Sequence, residues 1–493
     1  MLKIQLCFQK KEFEYDIHSL VRAFYPGSDV RICYEDEEKE AGGSDLYFVI
    51  RSDNERILFG ENTPEGLQSR SCQLTGEEDR PERKNRLKQI VYRYLSEKTG
   101  ISLPWGDLTG IRPTKIAYRL KEQGCTNAEI AEHMRQTYFT SREKTALSVA
   151  TVNREMAALE AFDYRRGYSL YVGIPFCPSI CLYCSFGSHP LERFQKMVEP
   201  YLQALCKELL FISDAMQRYP LHSIYVGGGT PTTLSAAQMD RLLTLIEERF
   251  PLDQVQEFTV ECGRPDTITE EKLQVLKKHA VSRISINPQT MNQKTLDLIG
   301  RKHTVEQIRE GMSLARRLGF DNINMDLIVG LPGEGKEEVA ETLRQIREMA
   351  PDSLTVHSLA LKRATRLNLF KEEYTPISFE NSAEIMNMTQ RCAAELGMGP
   401  YYLYRQKNMA GNFENVGYAA LDKAGIYNIL IMEEKQTILA AGSGASTKFV
   451  FQNGERIERV ENVKDLKNYI ERIDEMIERK RRGIAAYMPP AEA

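Results

Sequence analysis

The sequence of 493 residues lacks any long apolar run. No stretch approaches the roughly eighteen apolar residues that a membrane-spanning helix needs. The first twenty or so residues contain neither a long apolar core nor a cleavage site, so no signal peptide is evident. The sequence therefore predicts no membrane span and a cytoplasmic protein. A chain of this length exceeds one ordinary hydrophobic core, and about two or three domains are expected.

A charge excess of either sign is also missing. The chain has 65 Lys and Arg residues against 69 Asp and Glu residues, which leaves a formal net charge of −4. Binding of nucleic acid through bulk positive potential requires a basic excess or a basic face. The mixed charges thus predict no nucleic-acid partner. We interpret the basic run at 479–482 as a dipole-matched helix end, with Gly483 just after the last helical turn.

Cysteine is sparse, with ten residues, of which seven are scattered. In a reducing cytosol, scattered cysteines are expected to be free buried thiols. The other three, Cys177, Cys181 and Cys184, have the spacing C-x3-C-x2-C. Zinc is the simplest alternative, but structural zinc sites favour four ligands in paired halves, and no second pair exists here. A [4Fe–4S] cluster normally takes four cysteines, so three would leave one iron open to a small molecule.

Between about 169 and 361, short apolar or β-branched runs alternate with longer amphipathic segments. The predicted strands are 170–174, 223–226, 256–260, 283–286, 322–328 and 353–357, and the predicted helices include 239–250, 270–279, 305–318 and 337–349. This alternation indicates βαβ units and a parallel sheet. Six units with right-handed crossovers fit an incomplete (β/α) barrel, in which the loops after the strands build the active site.

The two flanks of this region have different patterns. Short predicted strands followed by helices indicate a small N-terminal α+β domain with a helical connector over 1–165. The barrel is expected over 166–375. A helix, several strands and a charged helix indicate a C-terminal α+β extension over 376–493.

Glycines and polar residues lie at the ends of the predicted strands. Gly227-Gly-Gly-Thr-Pro231 follows the second strand, and its glycines let a ligand approach backbone N–H and C=O groups. Glu261 ends the third strand and could accept hydrogen bonds from hydroxyl or ammonium groups. Gln289 follows the fourth strand, and Arg301 opens the helix after it. Asp326 lies within the fifth strand, where a buried charge is costly unless it is paired.

The cysteine motif resembles that of the radical S-adenosylmethionine (SAM) superfamily, whose usual fold is a partial TIM barrel. Further motifs resemble the oxygen-independent coproporphyrinogen III oxidase family, specifically its HemZ-like branch. These motifs are Pro175-Phe-Cys177, Gly227-Gly-Gly-Thr-Pro231, Arg283-Ile-Ser-Ile-Asn-Pro-Gln289, Gly300-Arg-Lys-His303 and Asp326-Leu-Ile-Val-Gly-Leu-Pro332. The resemblance implies an α/β protein, in which a radical SAM partial (β/α)6 barrel is flanked by the two α+β parts.

The resemblance also implies two cofactors and their ligands. Cys177, Cys181 and Cys184 would hold a [4Fe–4S] cluster, with SAM at the open iron. The implied SAM contacts are Tyr171, Tyr183, Phe186, Gly228, Gly229, Thr230, Glu261, Gln289, Arg301 and Asp326. No catalytic side chain is predicted, because the cluster and SAM supply the radical.

The implied activity is oxidative decarboxylation of coproporphyrinogen III to protoporphyrinogen IX, a step of haem biosynthesis. This tetrapyrrole and a reducing electron donor of unknown identity are the implied partners. Propionate carboxylates need cationic contacts, and the candidates are Arg363, Arg405 and Lys407. Two alternatives stay open: a radical SAM tetrapyrrole methyltransferase or haem-degrading enzyme, and a haem-trafficking chaperone of the same family.

The chain departs from the family pattern in ways that bear on these alternatives. Oxidases commonly have histidine where this chain has Gly173, and a fourth cysteine where it has Phe186. The chaperone branch has a C-terminal His-Asn-x-x-Tyr-Trp motif, whereas this chain has no tryptophan after Trp105. The missing motif favours the oxidase-like branch over the chaperone.

Overall fold

The computed structural model describes residues 1–35, 43–110, 112–185, 187–360, 381–405, 413–451, 454 and 456–488. The chain forms two compact units, Met1–Val149 and Ala150–Ala493. The three-part division expected from the sequence stays a prediction. In the described ranges, none of the helices is both long and apolar enough to cross a membrane.

The first unit contains a five-stranded sheet. Its strands are β1 (Lys3–Phe8), β2 (Asp29–Tyr34), β3 (Leu46–Ser52), β4 (Arg56–Thr63) and β5 (Gly66–Gln73), in the order β2-β1-β3-β4-β5. The first three strands in that order are parallel, and β3, β4 and β5 form an antiparallel meander. Alternate residues of β1 (Ile4, Leu6 and Phe8) enter one apolar core, as the two-residue period of a strand requires.

Helices complete the first unit and carry the chain into the second. They are α1 (Glu14–Phe24), α2 (Arg80–Thr99), α3 (Thr114–Glu122), α4 (Asn127–Tyr138) and α5 (Arg142–Leu159). The sequence analysis expected short strands followed by helices, whereas α1 lies between β1 and β2. Residues of β5 are mostly exposed, so β5 shows no apolar alternation by which it could be recognised.

The second unit is built on six parallel strands that neighbour one another in chain order. They are β6 (Tyr168–Ile174), β9 (Leu221–Gly228), β10 (Glu257–Glu261), β11 (Arg283–Ser285), β12 (Ile323–Val329) and β13 (Ser353–Ser358). A short pair, β7 (Phe176–Cys177) and β8 (His189–Pro190), follows β6. Each of the six predicted strands is present within a few residues of its expected bounds.

Helices connect these strands as crossovers. They are α6 (Leu191–Phe194), α7 (Val198–Met216), α8 (Ala236–Arg249), α9 (Glu270–Lys278), α10 (Gln293–Leu298), α11 (Val305–Arg317) and α12 (Lys336–Met349). Reciprocal capping bonds fix the starts of α8 (Ser235 with Gln238) and α11 (Thr304 with Gln307). Strand β6 is buried along nearly its whole length, as expected of a parallel strand covered on both faces.

The C-terminal elements extend both ends of the parallel sheet. At one end, β13 pairs with β15 (Asn415–Ala419), which pairs with β14 (Gly399–Tyr404). At the other end, β6 pairs with β16 (Thr437–Ala441), which is followed in the sheet by β17 (Ser446–Phe451) and β18 (Arg456–Glu461). The remaining helices are α13 (Ala383–Glu395), α14 (Ile426–Met432), α15 (Leu466–Glu471) and α16 (Ile473–Tyr487). These pairings cover strand edges that would otherwise be open. The predicted fold class, a partial (β/α)6 barrel with α+β additions, is confirmed.

One detail of the C-terminal helix corrects the sequence analysis. Gly483 does not end the helix, because α16 continues to Tyr487 and Gly483 is buried within it. A Cβ at Gly483 would lie 2.8 Å from Val460 Cγ2 and 3.0 Å from Phe449 Cε2. The glycine is therefore explained by close packing against β17 and β18. Part of the basic run is buried as well, since Lys480 pairs with Glu208 at 3.2 Å and both side chains are 0% exposed.

Candidate active site

A cavity of about 450 Å³ lies at the carboxyl ends of the parallel strands. Twelve of the thirteen residues predicted as cluster or SAM contacts line it. They are Tyr171, Cys177, Cys181, Tyr183, Cys184, Gly228, Gly229, Thr230, Glu261, Gln289, Arg301 and Asp326. The thirteenth, Phe186, lies outside the described residues. The structure thus brings these residues together, and their individual roles stay predictions.

The three cysteines lie on β7 and the loop that follows it. The loop is held by backbone hydrogen bonds, from Leu182 N to Ile299 O (3.0 Å) and from Cys184 N to Cys181 O (3.1 Å). Burial raises the pKa of the Cys177 thiol, and its Sγ lies 3.5 Å from Thr230 Oγ1. Within the described part of the chain, no three His, Cys, Asp or Glu side chains are grouped to hold a single metal ion.

The GGGTP turn packs backbone to backbone against the segment that leads into the cysteines. Gly229 N donates to Ile174 O (2.8 Å), and Thr230 N donates to Phe176 O (2.7 Å). A Cβ at Gly229 would lie only 2.6 Å from Phe176 O. Gly228 has a φ of +106°, a conformation that other residues rarely adopt. The glycines are therefore required by the fit of the turn.

Glu261 lines the cavity beside a stack of tyrosine rings. Tyr225 donates to Glu261 Oε1 at 2.5 Å. Burial raises the pKa of Glu261 to about 7, with the charge of Asp326 adding to the rise and the Tyr225 hydrogen bond opposing it. The ring of Tyr225 stacks on Tyr427 (4.5 Å between centroids) and on Tyr171 (6.3 Å). Tyr427 comes from α14, and the sequence analysis missed it.

Arg301 joins the cysteine loop to the ends of two strands. Its Nη1 donates to Tyr183 Oη (2.9 Å), and its Nη2 donates to the carbonyl oxygens of Gly263 (2.5 Å) and Asn287 (2.9 Å). The residue is only 3% exposed. Much of its hydrogen-bonding capacity is therefore used within the protein, and its SAM contact stays a prediction.

Gln289 follows β11 and packs against Asp326, which lies within β12. Gln289 has a φ of +67°, and its N–H donates to Asp326 O at 2.9 Å. Asp326 Oδ1 accepts from Asn324 Nδ2 at 2.7 Å, and its Oδ2 lies 3.9 Å from His357 Nε2. Burial alone would raise the pKa of Asp326, but the nearby His357 and the hydrogen bond from Asn324 outweigh burial and lower that pKa. Left-handed backbone in a non-glycine residue is typical of functional sites.

Two buried arginines of the cavity wall were not predicted as site residues. Arg264 follows β10, and Arg283 opens β11 and donates to Ser353 Oγ at 2.9 Å. Arg283 could have been found from the sequence, because it is a charged residue in an otherwise apolar strand, and the same pattern predicted Asp326 as a site residue. Arg264 gave no such signal, since a loop arginine is usually exposed.

Of the three predicted substrate cations, Arg405 alone falls within the described residues, and it does not line this wall. Arg405 is 3% exposed. Burial lowers the pKa of Arg405 to about 10, with the charge of Glu414 acting in the opposite direction. Arg363 and Lys407 lie outside the described residues. Substrate contacts by all three residues stay predictions.

Several lining residues have buried polar atoms without a hydrogen-bond partner in the described structure. They are Ser188 Oγ, Arg283 Nε, Ser285 Oγ, Asn287 Oδ1, Arg301 Nε and Asn415 Nδ2. An unsatisfied buried polar group costs about 1–3 kcal/mol, and such groups in native proteins usually have a partner. The cavity therefore suits a polar ligand with both donors and acceptors.

The fold and the cysteine-lined cavity define the chain as a radical SAM protein, and the model of the Radical SAM superfamily matches residues 171–346. The chain is 39% identical over 464 residues to the "Oxygen-independent coproporphyrinogen-III oxidase-like protein HemZ" of Bacillus subtilis (strain 168), covering 91% of this chain and 93% of that relative. It belongs to this HemZ family.

Two further similarities place the family among its neighbours. A "Heme chaperone HemW" of Lactococcus lactis subsp. lactis (strain IL1403) is 39% identical over 197 residues, which cover 40% of this chain and 50% of the chaperone. The solved structure titled "Coproporphyrinogen III oxidase (HemN) from Escherichia coli is a Radical SAM enzyme" matches with a TM-score of 0.51 and 26% identity. It covers 65% of this chain and 72% of that chain.

As a radical SAM protein, the chain binds a [4Fe–4S] cluster and SAM. The residues fit both groups: the three cysteines and the glycine turn line one cavity, and buried polar atoms of its wall lack partners within the described residues. Cys177, Cys181 and Cys184 would hold the cluster. SAM would be held by the remaining predicted contacts that line the cavity, from the glycine turn at Gly228 to Asp326 on β12.

Proposed function

We propose that the chain is an oxygen-independent coproporphyrinogen III oxidase, which converts two propionates of coproporphyrinogen III into the vinyl groups of protoporphyrinogen IX. The observation that carries this proposal is the 39% identity over 464 residues to a relative named oxidase-like, which extends over 93% of its length. A match of this extent includes the part beyond the barrel, where two of the expected substrate contacts, Arg405 and Lys407, lie.

Cys177, Cys181 and Cys184 would hold the cluster, and the cluster and SAM, when bound, would supply the radical chemistry needed to remove a hydrogen atom from a propionate. The protein's own residues hold and orient these groups. Arg301 ties the cysteine loop to β10 and β11. Glu261, when ionised, offers a carboxylate to an ammonium or hydroxyl group of SAM. The rings of Tyr171, Tyr225 and Tyr427 occupy one side of the cavity and exclude water there.

The test is an anaerobic assay of cluster-reconstituted protein with SAM, a chemical reductant and coproporphyrinogen III. Each decarboxylation releases CO2 and one electron, so an electron acceptor is included in a parallel reaction. Protoporphyrinogen formed with two SAM cleaved per substrate supports the proposal. A linear or methylated tetrapyrrole would refute it and support another radical SAM reaction. Absence of SAM cleavage by reduced, cluster-loaded protein would refute any radical SAM activity.

A matched pair of cysteine variants provides the control. Cys181→Ser should remove the ~400 nm absorption of the cluster and abolish turnover, because three thiolates are the minimum ligand set. Cys262 is also buried beside the cavity, but its thiol donates to Val260 O. Cys262→Ser should therefore retain both the absorption and the activity. Equal behaviour of the two variants would contradict the ligand assignment.

A second candidate is haem binding and transfer without turnover. The 39% identity to a haem chaperone over 197 residues favours it, although the match covers only 50% of that relative. Stable haem transfer to an acceptor protein, with no product from coproporphyrinogen III, would support this candidate over the oxidase. The electron donor stays unassigned, and a cytoplasmic location stays a prediction.

A further inference from the structure

Arg264 links the loop after β10 to the cysteine loop. It is 4% exposed, and its Nη1 lies 4.0 Å from Cys181 Sγ. The same nitrogen donates to Ser179 Oγ (3.1 Å) and Ser179 O (3.2 Å). Ser179 Oγ in turn donates to Gly300 O at 3.0 Å. One buried guanidinium thus contacts the segment between the first two cysteines.

The other edge of the Arg264 guanidinium is paired with Asp266. Nε donates to Asp266 Oδ1 (3.0 Å), and Nη2 donates to Asp266 Oδ2 (2.9 Å). This bidentate geometry fixes the plane of the guanidinium. Because the carboxylate lies on the Nε and Nη2 edge, the Nη1 nitrogen is left to face Cys181. The ion pair therefore directs its positive end toward the cysteine.

A neighbouring histidine does not change this charge arrangement. His303 is 0% exposed, and its Nδ1 lies 3.9 Å from Asp266 Oδ1. Burial, together with the charges of Arg301 and Arg264, lowers the pKa of His303 to about 3. His303 is therefore neutral near pH 7, and the carboxylate of Asp266 is balanced by Arg264.

We propose that Arg264 is a positioning residue for the iron–sulfur cluster, which holds the cysteine loop in place and raises the reduction potential of the cluster. Reduction adds negative charge to a cluster, and a nearby fixed positive charge stabilises the reduced form. Hydrogen bonds to the sulfurs, net charge and burial set such potentials. The proposal concerns the cluster alone, so it does not depend on the tetrapyrrole substrate proposed above.

The experiment is a redox titration of the reconstituted full-length protein without SAM, followed by electron paramagnetic resonance of the reduced cluster. At the wild-type midpoint, Arg264→Gln should lower the ratio of reduced to oxidised cluster about tenfold, which corresponds to about 59 mV for one electron. Arg264→Lys keeps the charge and should shift the midpoint by less than half as much.

The matched control is Arg316→Gln, which removes an arginine paired with Asp352 (2.7 Å) at the opposite ends of the strands. Its midpoint should equal that of the wild type.

The result that overturns the proposal is an Arg264→Gln midpoint equal to that of the wild type, or an equal shift in the lysine and glutamine variants. Iron content is measured for each variant. Loss of the cluster in Arg264→Gln with retention in Arg264→Lys supports the positioning role. If neither variant holds a cluster, Asp266→Asn decides, since removal of the counter-charge should raise the midpoint. An unchanged or lower midpoint in that variant overturns the proposal.

Discussion

The substitution Gly229→Ala tests whether the glycine turn and the cysteine segment fit as the structure shows. The new Cβ would lie 2.6 Å from Phe176 O and 2.9 Å from Ile174 O. Both are backbone atoms, so a side-chain rotation cannot relieve the contact. An ordinary van der Waals contact begins at 3.4 Å, and the two segments must therefore separate by about 0.8 Å.

The separation has two energetic costs. Overpacking in a close-packed region costs about 1–3 kcal/mol. The hydrogen bonds from Gly229 N to Ile174 O (2.8 Å) and from Thr230 N to Phe176 O (2.7 Å) must both lengthen, and a net hydrogen bond contributes about 1 kcal/mol. We expect a total destabilisation of about 3 kcal/mol. The displaced segment leads directly into Cys177, so cluster content should fall as well.

The assay combines urea unfolding of the apoprotein, followed by circular dichroism, with iron content after anaerobic reconstitution. Gly187→Ala is the control, because Gly187 lies near the same cysteines and a Cβ there would meet nothing within 4 Å. The control should match the wild type in both measurements. If Gly229→Ala were as stable and as rich in iron as Gly187→Ala, the close fit of the turn would be wrong.

Three further perturbations follow from buried charges and close contacts. Lys480→Met leaves Glu208 buried without its cation and should lower the free energy of unfolding in urea by about 3–5 kcal/mol. Adding Glu208→Gln removes the unpaired charge, so the double variant should recover part of this loss. The pKa of Glu261 is about 7, so its carboxylate is ionised above this pH and protonated below it. The affinity for SAM, measured by calorimetry, should therefore weaken as the pH falls through 7. The variant Glu261→Gln should remove this pH dependence. A pH-independent wild-type affinity would contradict a contact between Glu261 and SAM. Gly173→His introduces a Cβ 3.3 Å from Ala441 O, so it should lower the free energy of unfolding, measured in urea, by about 1–3 kcal/mol. A variant as stable as the wild type would show that this position tolerates a histidine.

The sequence by itself determined the barrel and twelve of the residues that line the cavity at its mouth. Strand β6 and its neighbours are short buried runs, and the helices between them have one apolar face, so local pattern was enough to find both. Because parallel strands present their carboxyl ends on one side, Glu261 and Asp326 could be assigned to a shared mouth before any distance was known. The spacing of the three cysteines predicted a cluster-type site for a similar local reason.

Only the tertiary structure decided which residues from distant segments join this mouth. Tyr427 comes from α14, more than two hundred residues beyond Tyr171, and its stacking depends on how the C-terminal strands pair with the barrel. Arg264 gives no periodic signal, and its position beside Cys181 depends on the ion pair with Asp266. Gly483 was misread as a helix end, because sequence shows that a glycine is present but not whether a turn or a close neighbour requires it. Local periodicity is encoded in the chain, whereas contacts between remote segments exist only after packing brings them together.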